Sequence, residues 1–164
     1  MKRLRWLAFV AALSATPAAL ALAVGDPAPP LALPDGAGQQ VELAKLRGRV
    51  VFVDFWASWC GPCKRSFPWM NEMSRKYASK GLQVVAINVD KKRDDADRFL
   101  KALPAEFTVL YDAAGSSPAA WQVKSMPSSY LVDASGRIAW VENGFKDERK
   151  AEMEERIRSA IAAR

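Results

Sequence analysis

The chain of 164 residues has no histidine and only two cysteines. A structural zinc site takes about four ligands, usually Cys and His, and two cysteines alone cannot close one. Proton transfer must also proceed without imidazole, leaving carboxyl groups as the candidates near neutral pH. There is no clustered basic stripe. Of 24 basic and 18 acidic residues, Lys2, Arg3 and Arg5 sit at the extreme N-terminus. The remaining 21 against 18 are scattered along the chain, which argues against nucleic-acid binding. No internal repeat occurs, and no low-complexity tract beyond an Ala-rich start. Half the residues are hydrophobic, too many for a disordered chain, and the length fits one domain with one core.

Residues 1–23 read as a secretory signal. Lys2, Arg3 and Arg5 give a positive start, Trp6 to Leu13 an apolar run, and Ala21-Leu22-Ala23 a small-residue cleavage site. The competing reading is an uncleaved anchor, since Leu4 to Val24 nearly reaches bilayer-spanning length; Ser14, Thr16 and Pro17 count against it. No cysteine lies near the cleavage site, which excludes a lipoprotein anchor. The domain is expected over residues 24–164.

Beyond the leader, Asp35-Gly36 marks a turn before a short strand at Gln40 to Leu43. Val50 to Trp56 is apolar on both faces apart from one acid, the pattern of a central strand. A helix is expected from Pro62 to Ser79, kinked at Pro68 and ended by Gly81, and then a strand from Leu82 to Val89. That order is a parallel βαβ unit. Next come a helix at Asp94 to Leu103, a strand at Phe107 to Tyr111 and a helix at Ser116 to Val123. Strands at Ser128 to Asp133 and Ile138 to Glu142 form a hairpin. A terminal helix, Lys146 to Ala163, carries Met153, Ile157, Ala160 and Ile161 on one face. The expected fold class is α/β: a mixed central sheet flanked by helices.

Chemistry concentrates in Cys60-Gly61-Pro62-Cys63, where the central strand meets the first helix. A disulfide across two residues closes too small a loop to staple a fold, so the pair reads as a redox couple. Cys60, at a helix N-terminus, should ionise below the free-thiol value of about 8.5 and attack. Cys63, one turn inside, should be more buried and act second. Pro62 pre-sets the first helical turn. Asp54, an acid inside Val-Val-Phe-Val-Asp-Phe-Trp, is expensive to bury. It either reaches solvent or a lysine, or stays buried with a raised pKa and shuttles the Cys63 proton; the lack of histidine favours the shuttle. Trp59 beside the nucleophile is either a core aromatic or part of an exposed apolar docking surface. Pro127, taken locally, is a strand-entry proline with a trans bond to Met126 by base rate.

The stretch Val50 to Lys64 resembles the active-site segment of thioredoxins, and the likeness covers about residues 25 to 163. Gly25-Asp26-Pro27-Ala28-Pro29, the Leu43 to Gly48 approach and the added αβ segment are similar to the exported TlpA/ResA/DsbE branch. The resemblance implies a thioredoxin fold with an N-terminal hairpin extension and an inserted αβ segment. It implies Cys60 as nucleophile, Cys63 as resolving cysteine, Asp54 as buried acid and Pro68 as the helix-kinking proline. Pro127 becomes a cis-proline facing the site, reversing the base rate, with Met126 offering backbone hydrogen bonds to substrate. Trp59, Gly61 and Pro62 join Met126 and Pro127 as the substrate-binding set. The implied activity is that of a periplasmic reductant of protein disulfides, acting in cytochrome c maturation on apocytochrome c or more generally. It needs no metal or organic cofactor, draws electrons from a membrane donor of DsbD type and is expected as a monomer. Three departures favour a general reductant: Asp54 stands where many branch members have Asn or another non-acid, Gly61-Pro62 is thioredoxin's own pair, and Asn88-Val89-Asp90-Lys91 lacks the Glu that some branch members place there. The alternatives are a disulfide-donating oxidase and a non-enzymatic interaction module; peroxide reduction fits a two-cysteine exchange motif less well.

Overall fold

The computed structural model describes residues 22–164. The leader expected over residues 1–23 lies, up to residue 21, outside the described residues. Among those described, no helix is long and apolar enough to cross a membrane.

Eleven elements follow in chain order: β1 (Ala32–Pro34), β2 (Gln40–Glu42), β3 (Val50–Trp56), α1 (Cys63–Tyr77), β4 (Leu82–Asn88), α2 (Arg93–Ala102), β5 (Thr108–Tyr111), α3 (Ser117–Ala120), β6 (Ser128–Val132), β7 (Ile138–Asn143) and α4 (Lys150–Ala162). Short 3-10 turns occupy Leu43–Leu46, Ala78–Lys80 and Asp147–Arg149. Strands β1 and β2 make the N-terminal antiparallel hairpin, its loop held by Asp35, whose Oδ1 accepts the N–H groups of Ala37 and Gln39. The main sheet has the order β5-β4-β3-β6-β7. β3, β4 and β5 run parallel, while β6 and β7 run antiparallel to their neighbours. This is the thioredoxin fold, with the hairpin and the α2–β5 insertion added.

β3 occupies the centre, and all seven of its residues are buried. Alternation along the strand divides them between two cores. Val50, Phe52 and Trp56 face a cluster supplied by α1, α2 and α4, including Phe67, Met70, Phe99, Met153 and Ile157. Val51, Val53 and Phe55 face the other, with Ile87, Leu110, Trp121 and Tyr130. Phe67 anchors the first cluster, its ring centroid 4.8 Å from Trp56, 4.9 Å from Phe99 and 5.3 Å from Phe107. Phe67→Ala should therefore cost about 3–5 kcal/mol of stability, read from urea unfolding; a loss under about 1 kcal/mol would contradict this packing.

Two expectations shift, the depth of Cys63 and the length of α3. α1 begins at Cys63, so Cys63 opens the helix instead of lying a turn inside it; Pro62 is already helical (φ −60°, ψ −27°) but serves as the cap. The helix runs through Pro68 as one element and continues as a 3-10 turn to Gly81, which takes φ 99° and so ends it as expected. α3 has only four residues, because Gln122 turns left-handed at φ 54° just beyond it.

Candidate active site

The parallel order of β3, β4 and β5 brings their C-terminal ends to one edge of the sheet. The antiparallel β6 starts at that same edge, a usual location for sites in such sheets. From Trp56 the chain enters a tight turn, with Cys60 N–H donating to the Ala57 carbonyl at 3.0 Å, and then α1. Three residues of turn and helix bring the sulfurs together: Cys60 and Cys63 are joined, S–S 2.01 Å, with Cα atoms 5.3 Å apart. The Cys63 N–H, one of the amides at the start of α1 with no helical acceptor, points at the Cys60 sulfur at 3.2 Å. Cys60 keeps a sliver of exposure, 3% against 0% for Cys63. Trp59 is 71% exposed beside them, so it is no core aromatic. Gly61 is exposed and Pro62 half-buried.

Asp54 lies on the α1 side of β3, the side on which Cys63 is buried. It is 1% exposed, so the reading in which it reaches solvent fails. Its neighbours across the ladder are Ala86 on β4 and Ser129 on β6. The Ser129 hydroxyl donates to Asp54 Oδ1 at 2.6 Å, while Oδ2 has no hydrogen-bond partner. Burial pushes this carboxyl up to about 7 against the modest opposing pull of the Ser129 bond. Opposite Ser129 on β7 sits Glu142, also buried, with Arg149 Nη2 at 2.9 Å from its carboxylate.

The Met126–Pro127 bond is cis. The pairing of Phe55 with Ser128 carries it alongside the exit of β3, at the same edge as the cysteine turn. Pro127 is buried and Met126 half-buried against the α1 cluster. A cavity of about 170 Å³ lined by Leu43, Val51 and Asp133 lies at the opposite end of the sheet and has no part in this site.

Sequence reasoning passed over Ser129, Ser58 and Asp90. The Ser58 N–H and hydroxyl donate to Asp90 Oδ2 and Oδ1 at 2.9 and 3.0 Å. An acid directly after the apolar run Leu82 to Val89 was a usable signal, since such a residue at a strand end is either solvated or bonded.

The chain matches the Redoxin family model over residues 23–157. It is 33% identical over 124 residues to the thiol-disulfide oxidoreductase ResA of Bacillus subtilis, covering 76% of this chain and 69% of that one. A Chlorobium tepidum crystal structure, described as a candidate thiol:disulfide interchange protein DsbE, superposes with a TM-score of 0.83 at 49% identity, over 86% of this chain and 99% of that one. A thioredoxin-family thiol:disulfide interchange protein from Chlorobium tepidum TLS gives 0.73 at 25% identity, over 83% and 96%.

Proposed function

Because this chain belongs to the Redoxin family and is a thiol–disulfide oxidoreductase related to the ResA/DsbE type, we propose that it works in the periplasm as a reductant of protein disulfides. The leader, residues 1–23, would export it, and residues 24–164 would form the working domain. The observation that carries this reading is a cysteine pair at the start of α1, with an amide aimed at the outer sulfur and a neutralisable acid buried on the inner side.

In the dithiol form, the Cys60 thiolate attacks one sulfur of a substrate disulfide. An S–S bond forms between enzyme and substrate, and the first substrate sulfur leaves as thiolate. The Cys63 N–H and the positive end of the α1 dipole stabilise the attacking anion. Asp54 accepts the Cys63 proton, and the Cys63 thiolate displaces the second substrate sulfur from Cys60. Two substrate thiols and the Cys60–Cys63 disulfide result. Two electrons from a membrane dithiol donor of the DsbD type restore the pair. Trp59, Gly61, Pro62 and the Met126–Pro127 segment form the docking surface, with Met126 supplying backbone hydrogen bonds. Gly61-Pro62 and the lack of Glu in Asn88 to Lys91 favour a broad substrate range over apocytochrome c alone.

Equilibration with glutathione buffers tests the direction. A reduction potential below about −200 mV is expected; one near about −120 mV, where strong oxidants lie, would make the protein a disulfide donor instead.

A further inference from the structure

Asp90 is a buried acid that the exchange chemistry above leaves unused. It stands two residues past β4 and is 5% exposed. Its carboxyl accepts three bonds, all from neutral donors: the Ser58 N–H, the Ser58 hydroxyl and Asn88 Nδ2, the last at 2.7 Å. Asn88 accepts the Asp90 N–H at 3.2 Å on its side-chain oxygen, and its backbone carbonyl takes the Asp112 N–H at 2.8 Å. The acceptor is thus itself fixed to the sheet.

Two of the three bonds go to one residue, Ser58, two positions before Cys60. β3 ends at Trp56, so the Ser58 N–H has no sheet partner. Val89 N–H reaches the Trp56 carbonyl at 3.1 Å, one step beyond the regular ladder. Together these contacts strap residues 56–58 to residues 88–90. Only Trp59 then separates the strap from Cys60, whose N–H folds back to Ala57. The place of the outer sulfur relative to the Cys63 amide is therefore set from two sides: by α1, and by Asp90 through Ser58.

We propose that Asp90 is a positioning residue for disulfide exchange, holding the turn that carries Trp59 and Cys60 in register with the start of α1. Reactions that need aligned sulfurs are sensitive to small displacements of the attacking atom, so loosening the strap slows attack even where the fold survives. This rests on Cys60 being the attacking sulfur.

The test uses the full chain on a Cys63→Ser background, measuring the second-order rate of mixed-disulfide formation with a small uncharged aromatic disulfide, with urea unfolding alongside. Asp90→Asn, which sets an amide donor against the donors of Ser58 and Asn88, should slow attack about tenfold. Ser58→Ala should slow it about threefold, and Ser58→Thr, which keeps the hydroxyl, should restore the parent rate. Ser58→Ala combined with Asp90→Asn should be no slower than Asp90→Asn alone, because both act through one strap. Parent-like rates in Asp90→Asn and Ser58→Ala, with or without lost stability, would overturn the proposal, as would full additivity in the double variant. Should Asp90→Asn not fold, Ser58→Ala and Ser58→Thr decide by the same rates. Adduct formation that persists at the parent rate in a Cys60→Ser variant with Cys63 intact would instead bring down the underlying reading, an outcome separate from a fast Asp90→Asn.

Discussion

Cys60→Ser should abolish turnover of protein disulfides, by at least about 10³-fold, whereas Cys63→Ser should keep the first attack and stop there. The two sulfurs differ in surroundings despite being bonded to each other. Cys60 keeps a sliver of exposure and receives an amide hydrogen bond, while Cys63 is fully enclosed by the α1 cluster. The attacking thiolate must line up with the substrate S–S bond that it breaks, and of the two sulfurs Cys60 is the one with any exposure, 3% against 0%. Removing Cys63 leaves that attack intact but takes away the internal sulfur that ends the mixed disulfide. Incubating Cys63→Ser with oxidised protein substrates should accumulate adducts whose mass equals enzyme plus substrate, released by dithiothreitol. Adducts formed by Cys60→Ser in place of Cys63→Ser would reverse the two roles.

Asp54→Asn should move two measurements in opposite directions. Resolution of the mixed disulfide near pH 7 should slow by on the order of 10²-fold, since the variant has no carboxylate to take the Cys63 proton. The gap should narrow towards pH 9, where the thiol can lose its proton without help. Folding stability, by contrast, should rise in the variant above neutrality. In the unfolded chain this carboxyl loses its proton near pH 4; in the folded one burial holds it to about 7. Between those values the folded state binds the extra proton, so the contribution of the neutral carboxyl, complete below pH 4, is lost as pH rises to 7. Above that the folded protein carries a buried charge worth up to about 4 kcal/mol of destabilisation, which Asn does not incur. Urea unfolding at pH 4 and pH 8.5 reads the difference. Equal stability of the two proteins at both pH values would mean that Asp54 does not titrate with a raised pKa.

Much of this was legible because burial leaves a mark on sequence. β3 spans Val50–Trp56, as its doubly apolar composition predicts, and a lone acid within it stands out because nothing else there is polar. Asp54 could be singled out for that reason. Its partner could not: Ser129 looks like any other serine, and only the β3–β6 register sets its hydroxyl against the carboxyl. The same limit hid the Asp90–Ser58 contact, which joins residues 32 positions apart across a parallel pair. The cis bond at Met126–Pro127 was invisible locally, where the trans form is the default, and came only from likeness to thioredoxins. Helix ends were the least legible. Cys63 was placed a turn too deep, since the helical geometry of Pro62 does not reveal whether it belongs to the helix or caps it.

The C-terminus lies at the pole of the sheet away from the cysteine turn. Arg164 reaches Gly81, at the start of β4, on the far side. A carrier grafted after Arg164 leaves the sulfurs unobstructed, which makes the C-terminus the place to attach a solid support or an electrode.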